Sequence, residues 1–229
     1  EANDEPSVEL AALVRLGLIH SRTSPLLDPP VGWEYTLRGL DLARSLGETS
    51  QEARLEWVAG HLEPDVMGRV EHFSRARELF EGGEDQDGLA FVLLDLGRVL
   101  GMVNRRDEAR NAVGLAVEMW EATGNKAMLA DARFALGFIE FNFGSIDVAR
   151  EHYGAARALA EEISSEWLLE FTSIVFALGD LWEGKLAEWW EAVSPYLEVD
   201  SIEMPGYFSF LPISDGWLAL GLYDELLAF

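Results

Sequence analysis

Between residues 87 and 122 the apolar positions recur at a helical spacing. Val92, Leu93, Leu96, Val99, Leu100 and Val103 fall on one stripe, and Ala109, Ala112, Val113, Ala116, Val117 and Trp120 fall on a second. The stretch therefore predicts two amphipathic helices joined by a tight turn. No sustained period-two alternation occurs along the chain, so no sheet is expected.

This pattern is repeated. LLDLGRVLGMVNRRDEARNAVGLAVEMW is echoed by RFALGFIEFNFGSIDVAREHYGAARALA, with Leu96-Gly97 returning as Leu136-Gly137 and Asp107–Arg110 (DEAR) as Asp147–Arg150 (DVAR), both 40 positions on. Two landmarks sharing one offset define a repeat. The phase extends upstream through GLDLARSLGE around Ala43 and FSRARELFEG around Ala76, and downstream through EFTSIVFALGDLWEGKLAEWWEAV and WLALGLYDELLAF. Helical pairs are predicted at roughly 7–46, 50–81, 87–122, 126–162, 165–198 and 206–229. One hairpin cannot bury both of its stripes, so the pairs must stack into an α-solenoid, read here as a single repeat domain over 1–229. The proline-rich SRTSPLLDPPVG lengthens the first turn, and Pro212 falls at or inside the eleventh helix; either marks an altered cap. YDELLAF opens a helix with too few partners remaining, so the chain reads as a piece of a longer protein continuing past Phe229.

The quoted units resemble the tetratricopeptide repeat (TPR), whose hallmarks are a Leu-Gly in the first helix, an acidic turn, and small residues where the second helix packs closely. Leu96-Gly97 with Asp107, Glu108, Ala109 and Ala116, and Leu136-Gly137 with Gly144, Asp147, Ala149, Tyr153 and Ala156, carry the likeness. In the unit at 50–81 either Trp57 or Gly60 must take the glycine position. Units near 40 residues, with LDLARSLGE and VEMWEATGN closing second helices, are also similar to the helical sensor arms of bacterial signal-transduction ATPases and transcription activators, of the maltose-regulon activator type. The resemblance implies an all-α right-handed superhelix of about six pairs, and a regulatory interaction module.

Composition narrows the partners. The 229 residues carry a formal net charge of −24, and only Lys126 and Lys185 among the seventeen basic residues are lysines. Such a surface repels phosphate backbones and anionic headgroups, so neither direct nucleic-acid contact nor membrane association is expected. The same acidity also serves as a solubility adaptation. With no cysteine there is no disulfide framework and no thiolate zinc site, in keeping with a cytoplasmic chain. No apolar run approaches the roughly 20 residues of a membrane span.

Several motifs invite chemistry and are explained without it. GDLWEGKL at Gly179–Leu186 nearly completes a phosphate-binding loop, but Leu186 cannot ligate magnesium and Asp180 and Glu183 would face phosphates with the wrong charge. The repeat phase instead makes Gly179 the counterpart of Gly137, and Gly184 a helix-to-helix turn. EGGEDQDG at Glu81–Gly88 lacks both end ligands of a calcium loop and reads as a solvated linker. His20, His61, His72 and His152 show no metal-binding spacing and are expected at surface or turn positions. Neither enzymatic activity nor a cofactor is expected.

The resemblance also implies a binding surface. Phe134, Phe138 and Phe141 replace Leu94, Arg98 and Gly101 of the preceding unit, positions that in TPR arrays face the concave groove. Phe176, placed before Gly179 as Phe134 is before Gly137, joins this candidate patch, and Asp131, Asp180 and Glu183 would form an acidic rim. A protein or peptide partner with apolar anchors and basic flanks would suit it. The three phenylalanines also have the spacing of a buried stripe, which leaves core packing open. A small-molecule effector, such as a sugar stacking on the eight Trp and twelve Phe, is the alternative ligand class.

Overall fold

In the computed structural model, residues 4–21 and 26–197 are described, and all regular structure among them is α-helical. The predicted pair at 206–229 and Pro212 lie outside these residues. Ten helices are present among the described residues: α1 (Asp4–Ser21), α2 (Pro29–Leu46), α3 (Thr49–Leu62), α4 (Val66–Glu81), α5 (Gln86–Met102), α6 (Arg106–Thr123), α7 (Lys126–Asn142), α8 (Ile146–Ile163), α9 (Glu166–Trp182) and α10 (Leu186–Leu197). They pack as consecutive antiparallel neighbours, α1 with α2, α3 with α4, α5 with α6, α7 with α8 and α9 with α10. The chain forms two compact units, Glu1–Asn125 and Lys126–Phe229.

Helix ends follow from local chemistry. Asp28, Asp65 and Asp85 cap α2, α4 and α5, accepting hydrogen bonds from the backbone N–H of Val31 (3.3 Å), Gly68 (2.8 Å) and Gly88 (2.9 Å). Pro29 and Pro30 occupy the first turn of α2, where a missing N–H costs nothing. The proline-rich segment thus ends in a helix start. Asp85 also receives Arg54 at 2.7 Å, so EGGEDQDG ends in a capped, charge-paired junction between α4 and α5.

The turns show the 40-residue repeat most directly. Asn104, Gly144 and Gly184 stand 40 positions apart, and all take a left-handed conformation, with φ of 62°, 77° and 77°. The following residue closes each turn: the N–H of Arg105, Ser145 and Lys185 donates to the carbonyl of Leu100, Glu140 and Asp180. Gly184 is a turn residue, which accounts for the second glycine of GDLWEGKL. Gly179 falls inside α9.

In the first unit, Leu10, Val14, Leu40, Ala43 and Leu55 make one core cluster, Val58, Phe73 and Phe80 of α3 and α4 are buried beside it, and the stripes of α5 and α6 carry the core on around Leu96, Val113 and Trp120. Glycines let the paired helices approach. A Cβ on Gly97 would lie 2.3 Å from Val113 Cγ2, and one on Gly60 would lie 2.4 Å from the Phe73 ring. Gly60 is therefore the packing glycine of its pair, and Trp57 is not. In the second unit Tyr153 covers Gly137, its ring 2.6 Å from where a Cβ would stand. There the core gathers Ala130, Phe134, Ala149, Tyr153, Ala156 and Leu168.

Candidate functional site

In the first unit, α3 and α5, the first helices of neighbouring pairs, bring polar and aromatic side chains together. Gly60 and Gly97 hold these helices against α4 and α6, and this fixes the register of the residues around them. His61 and Arg98 each follow their glycine, so they occupy equivalent sites on adjacent helices. Between them stands Asp95. Its carboxylate accepts the Trp57 indole N–H at 2.8 Å, lies 3.1 Å from His61 Nε2, and pairs with Arg98 Nη1 at 3.3 Å. Burial alone would raise this carboxyl, but His61, Arg98 and the Trp57 N–H outweigh it and hold it at about 2. Asp95 is thus an anion that orients the Trp57 indole and the Arg98 guanidinium, with the His61 imidazole beside it. The Trp57 ring lies 5.3 Å from His61 and 5.8 Å from Phe91, whose far edge meets Trp120 at 5.5 Å. Trp57, His61, Phe91, Asp95 and Arg98 are all half-buried, with one side supported by core and the other reaching solvent.

Arg98 is the one member of this cluster that the repeat pattern singles out in advance. Once Gly60 is taken as the packing glycine, His61 falls at the position of Arg98 and Phe138, and Trp57 at that of Leu94 and Phe134. That register is the signal in the sequence that could have found the others. Leu94 itself is buried at 2 % exposure, and its placement in an open groove is corrected: it packs between helices.

The aromatic patch expected in the second unit is largely core. Phe134 is 7 % exposed and packs 5.3 Å from both Tyr153 and Phe171, so it offers no face to a partner. Phe141 and Phe176 are half-buried against the same cluster, Phe176 lying 6.3 Å from Tyr153. Phe138, half-buried, retains an accessible part, as does Asp131. The expected acidic rim of Asp180 and Glu183 is charge-compensated. Arg150 pairs with Glu183 and lies 3.8 Å from Asp180, while Lys185 lies 2.7 Å from Glu183 and 3.5 Å from Asp180. Hydrogen bonds from Arg150 and Lys185 hold the Glu183 carboxyl down at about 2. The lysine of GDLWEGKL is thus committed to carboxylates of its own turn.

A second polar junction ties α2, α3 and α4. Glu56, buried on α3, receives Arg44 of α2 at 2.8 Å and His72 of α4 at 2.8 Å, and Arg44 also reaches Glu52 at 3.1 Å. The hydrogen bond with Glu56 raises the pKa of His72 against the opposing effect of burial. His72 is therefore paired with Glu56 and His61 lies beside Asp95, both half-buried, which corrects the expectation of plain surface positions. Among the described residues no group of histidines and carboxylates has the geometry of a metal site, and no helix is long and apolar enough to cross a membrane.

No family model matches the chain, and no curated protein matches its sequence. Solved structures do. The apo form of RapI matches with a TM-score of 0.74 at 14% identity, over 96% of this chain and 80% of that one. Aspartyl phosphate phosphatase F from Bacillus subtilis matches with a TM-score of 0.73 at 11% identity, over 96% of this chain and 57% of that one. BtubC from P. vanneervenii matches with a TM-score of 0.59 at 13% identity, over 98% of this chain and 87% of that one. At these identities the likeness is one of fold: the chain is an all-α, TPR-like helical repeat of stacked pairs.

Proposed function

We propose that the chain is a non-catalytic protein-interaction module, the regulatory arm of a cytoplasmic bacterial signalling or transcription-regulatory protein. The observation that carries this reading is the α3–α5 face, where His61 and Arg98 sit at a register that TPR arrays turn toward a bound segment, with half-buried Trp57 and Asp95 beside them. Asp95 pre-orients the indole and the guanidinium, so little of their side-chain freedom remains to be lost on binding. Trp and Arg in such a setting are the residue types that dominate binding energy. The regulatory role rests on the phrases LDLARSLGE and VEMWEATGN, and the similar structures support the repeat fold without pointing to those sensor arms. The net charge of −24 favours a partner with basic flanks over one with acidic flanks.

The test is affinity capture from the native host with the wild-type chain and with Trp57→Ala and Arg98→Ala. A protein retained by the wild type and lost by both variants, at unchanged melting temperature, is the expected result. Retention by both variants would move the interface elsewhere. Thermal-shift screening of metabolites tests the sugar-effector alternative, because a bound effector raises the melting temperature by mass action.

A further inference from the structure

On the α3–α5 face, His61 Nε2 is buried and takes part in no hydrogen bond. Asp95 Oδ2 lies only 3.1 Å away, but the contact lacks hydrogen-bond alignment, and the same oxygen already accepts the Trp57 indole N–H at 2.8 Å. A neutral imidazole gains little there. With its proton on Nδ1 it even turns a lone pair toward a carboxylate oxygen. An imidazolium in the same place is attracted to the adjacent anion, because Coulomb attraction depends on distance more than on alignment.

The neighbouring helices fix what else the imidazole meets. Trp57 of its own helix and Phe73 of α4 hold the ring in place, each in a T-shaped contact with centroids 5.3 Å apart. Two cations stand nearby: Arg98 of α5, paired with Asp95 Oδ1 at 3.3 Å, and Arg69 of α4, which donates to the carbonyl of neighbouring Gly60 at 3.2 Å. Helices α1 and α2 meet α3 through uncharged contacts, Gly17 beside Val58 and Gly32 beside Leu62. Asp95, held at about 2, stays an anion near neutral pH, and an arginine stays protonated. Histidine is therefore the residue type in this cluster whose charge changes between about pH 5 and pH 8. With a neutral imidazole the charges of Asp95 and Arg98 cancel; with an imidazolium the face carries one net positive charge.

We propose that His61 is a proton-operated switch of the α3–α5 face. Protonated, it becomes an ion-pair partner of Asp95, ties α3 more firmly to α5, draws Oδ2 away from the Trp57 indole, and adds a positive charge where a partner's basic flank approaches. Neutral, it leaves Asp95 to Trp57 and Arg98, and that repulsion is gone. The effect on a partner rests on the role proposed above for this face; the change within the face does not.

The test follows the Trp57 indole N–H and the His61 ring protons by NMR on the full chain from about pH 5 to about pH 8.5, with Trp57→Phe and His61→Gln assigning the signals. The indole signal should titrate together with His61 and stay fixed in His61→Gln. A double-mutant cycle between His61→Gln and Asp95→Asn, read from denaturation, should show a coupling of about tenfold in the folding equilibrium at about pH 5.5 that is lost by about pH 8.5. An indole signal that ignores pH, or that moves equally in His61→Gln, would overturn the switch. So would a coupling that is the same at both pH values; where Asp95→Asn does not fold, the indole titration decides. A protein captured through Trp57 and Arg98 should be held at least about tenfold more tightly at about pH 8 than at about pH 6 by the wild type, and equally at both by His61→Gln. Equal retention at both pH values, with Trp57→Ala still abolishing capture, would overturn the switch and keep the interface. Capture indifferent to Trp57 and Arg98 would overturn the interface, with the switch still decided by the indole titration.

Discussion

At the residue scale, the glycines divide by what surrounds them. Gly97 and Gly137 face Val113 and Tyr153 at distances no Cβ tolerates, and at Gly97 a backbone carbonyl, that of Ala109, lies 3.0 Å away as well. Gly97→Ala should destabilise by about 1–3 kcal/mol through overpacking. Gly114 of α6 meets nothing within 4 Å at that position. Gly114→Ala should therefore stabilise by about 0.5–1 kcal/mol, since it only removes backbone freedom from a helix interior. Chemical denaturation of the two variants checks both signs. The ion pairs give opposite pH dependences. His72 has a raised pKa, so the stability it contributes is complete below its ordinary 6.5 and is lost as pH rises through the raised value. Asp95 is held at about 2 against an ordinary 3.8, so its contribution is present above 3.8 and is lost as pH falls through about 2. Denaturation midpoints of wild type and His72→Ala should differ at mildly acidic pH and converge at alkaline pH; a constant difference would count against the His72–Glu56 pair.

At the element scale, each helix is held by a face and by its ends. Phe134 closes the core between α7, α8 and α9, so Phe134→Ala should cost about 3–5 kcal/mol. Phe138, one turn on and half-buried, should cost less, and comparing the two melting curves measures how far the α7 stripe is core. Asp85 caps α5 while holding Arg54, so Asp85→Ala should cost about 1 kcal/mol or somewhat more, with α5 amides nearest the cap exchanging faster. Legibility differs between these features. The stripes of α5 and α6 can be read directly, because burial of every third or fourth residue leaves a periodic trace in composition. The choice between Trp57 and Gly60 cannot, because both fit the phase and only the Phe73 ring, packed over Gly60, separates them.

At the scale of the whole molecule, charge is the dominant property. With a net charge of −24, self-repulsion opposes the compact state, so the melting temperature should rise as sodium chloride is added from low to about physiological ionic strength. No change over that range would mean that pairs such as Arg150–Glu183 and Arg54–Asp85 already absorb the repulsion. The turn chemistry carries a second expectation at this scale. Lys185 is engaged by Glu183 and Asp180, and Gly184 sits in a left-handed turn, so titration with Mg-ATP should show no micromolar binding. A micromolar affinity abolished by Lys185→Ala would refute that reading of GDLWEGKL.

The sequence by itself determined the helical class, the pairing and the 40-residue period, because these depend on local spacing and on turn residues such as Asn104, Gly144 and Gly184. It also determined that Gly184 and Lys185 belong to a turn. Tertiary structure alone decided which members of an apolar stripe face the core and which face solvent. Phe134 and Phe138 have the same residue type and lie on the same helix, yet the first is enclosed by Tyr153 and Phe171 while the second keeps an open side. Tertiary structure also assembled the Trp57–His61–Asp95–Arg98 cluster from two helices, and paired Asp180 and Glu183 with a distant Arg150. A carboxylate's partner is set by distance in space, and periodicity along one helix carries no record of what the neighbouring helix places opposite it.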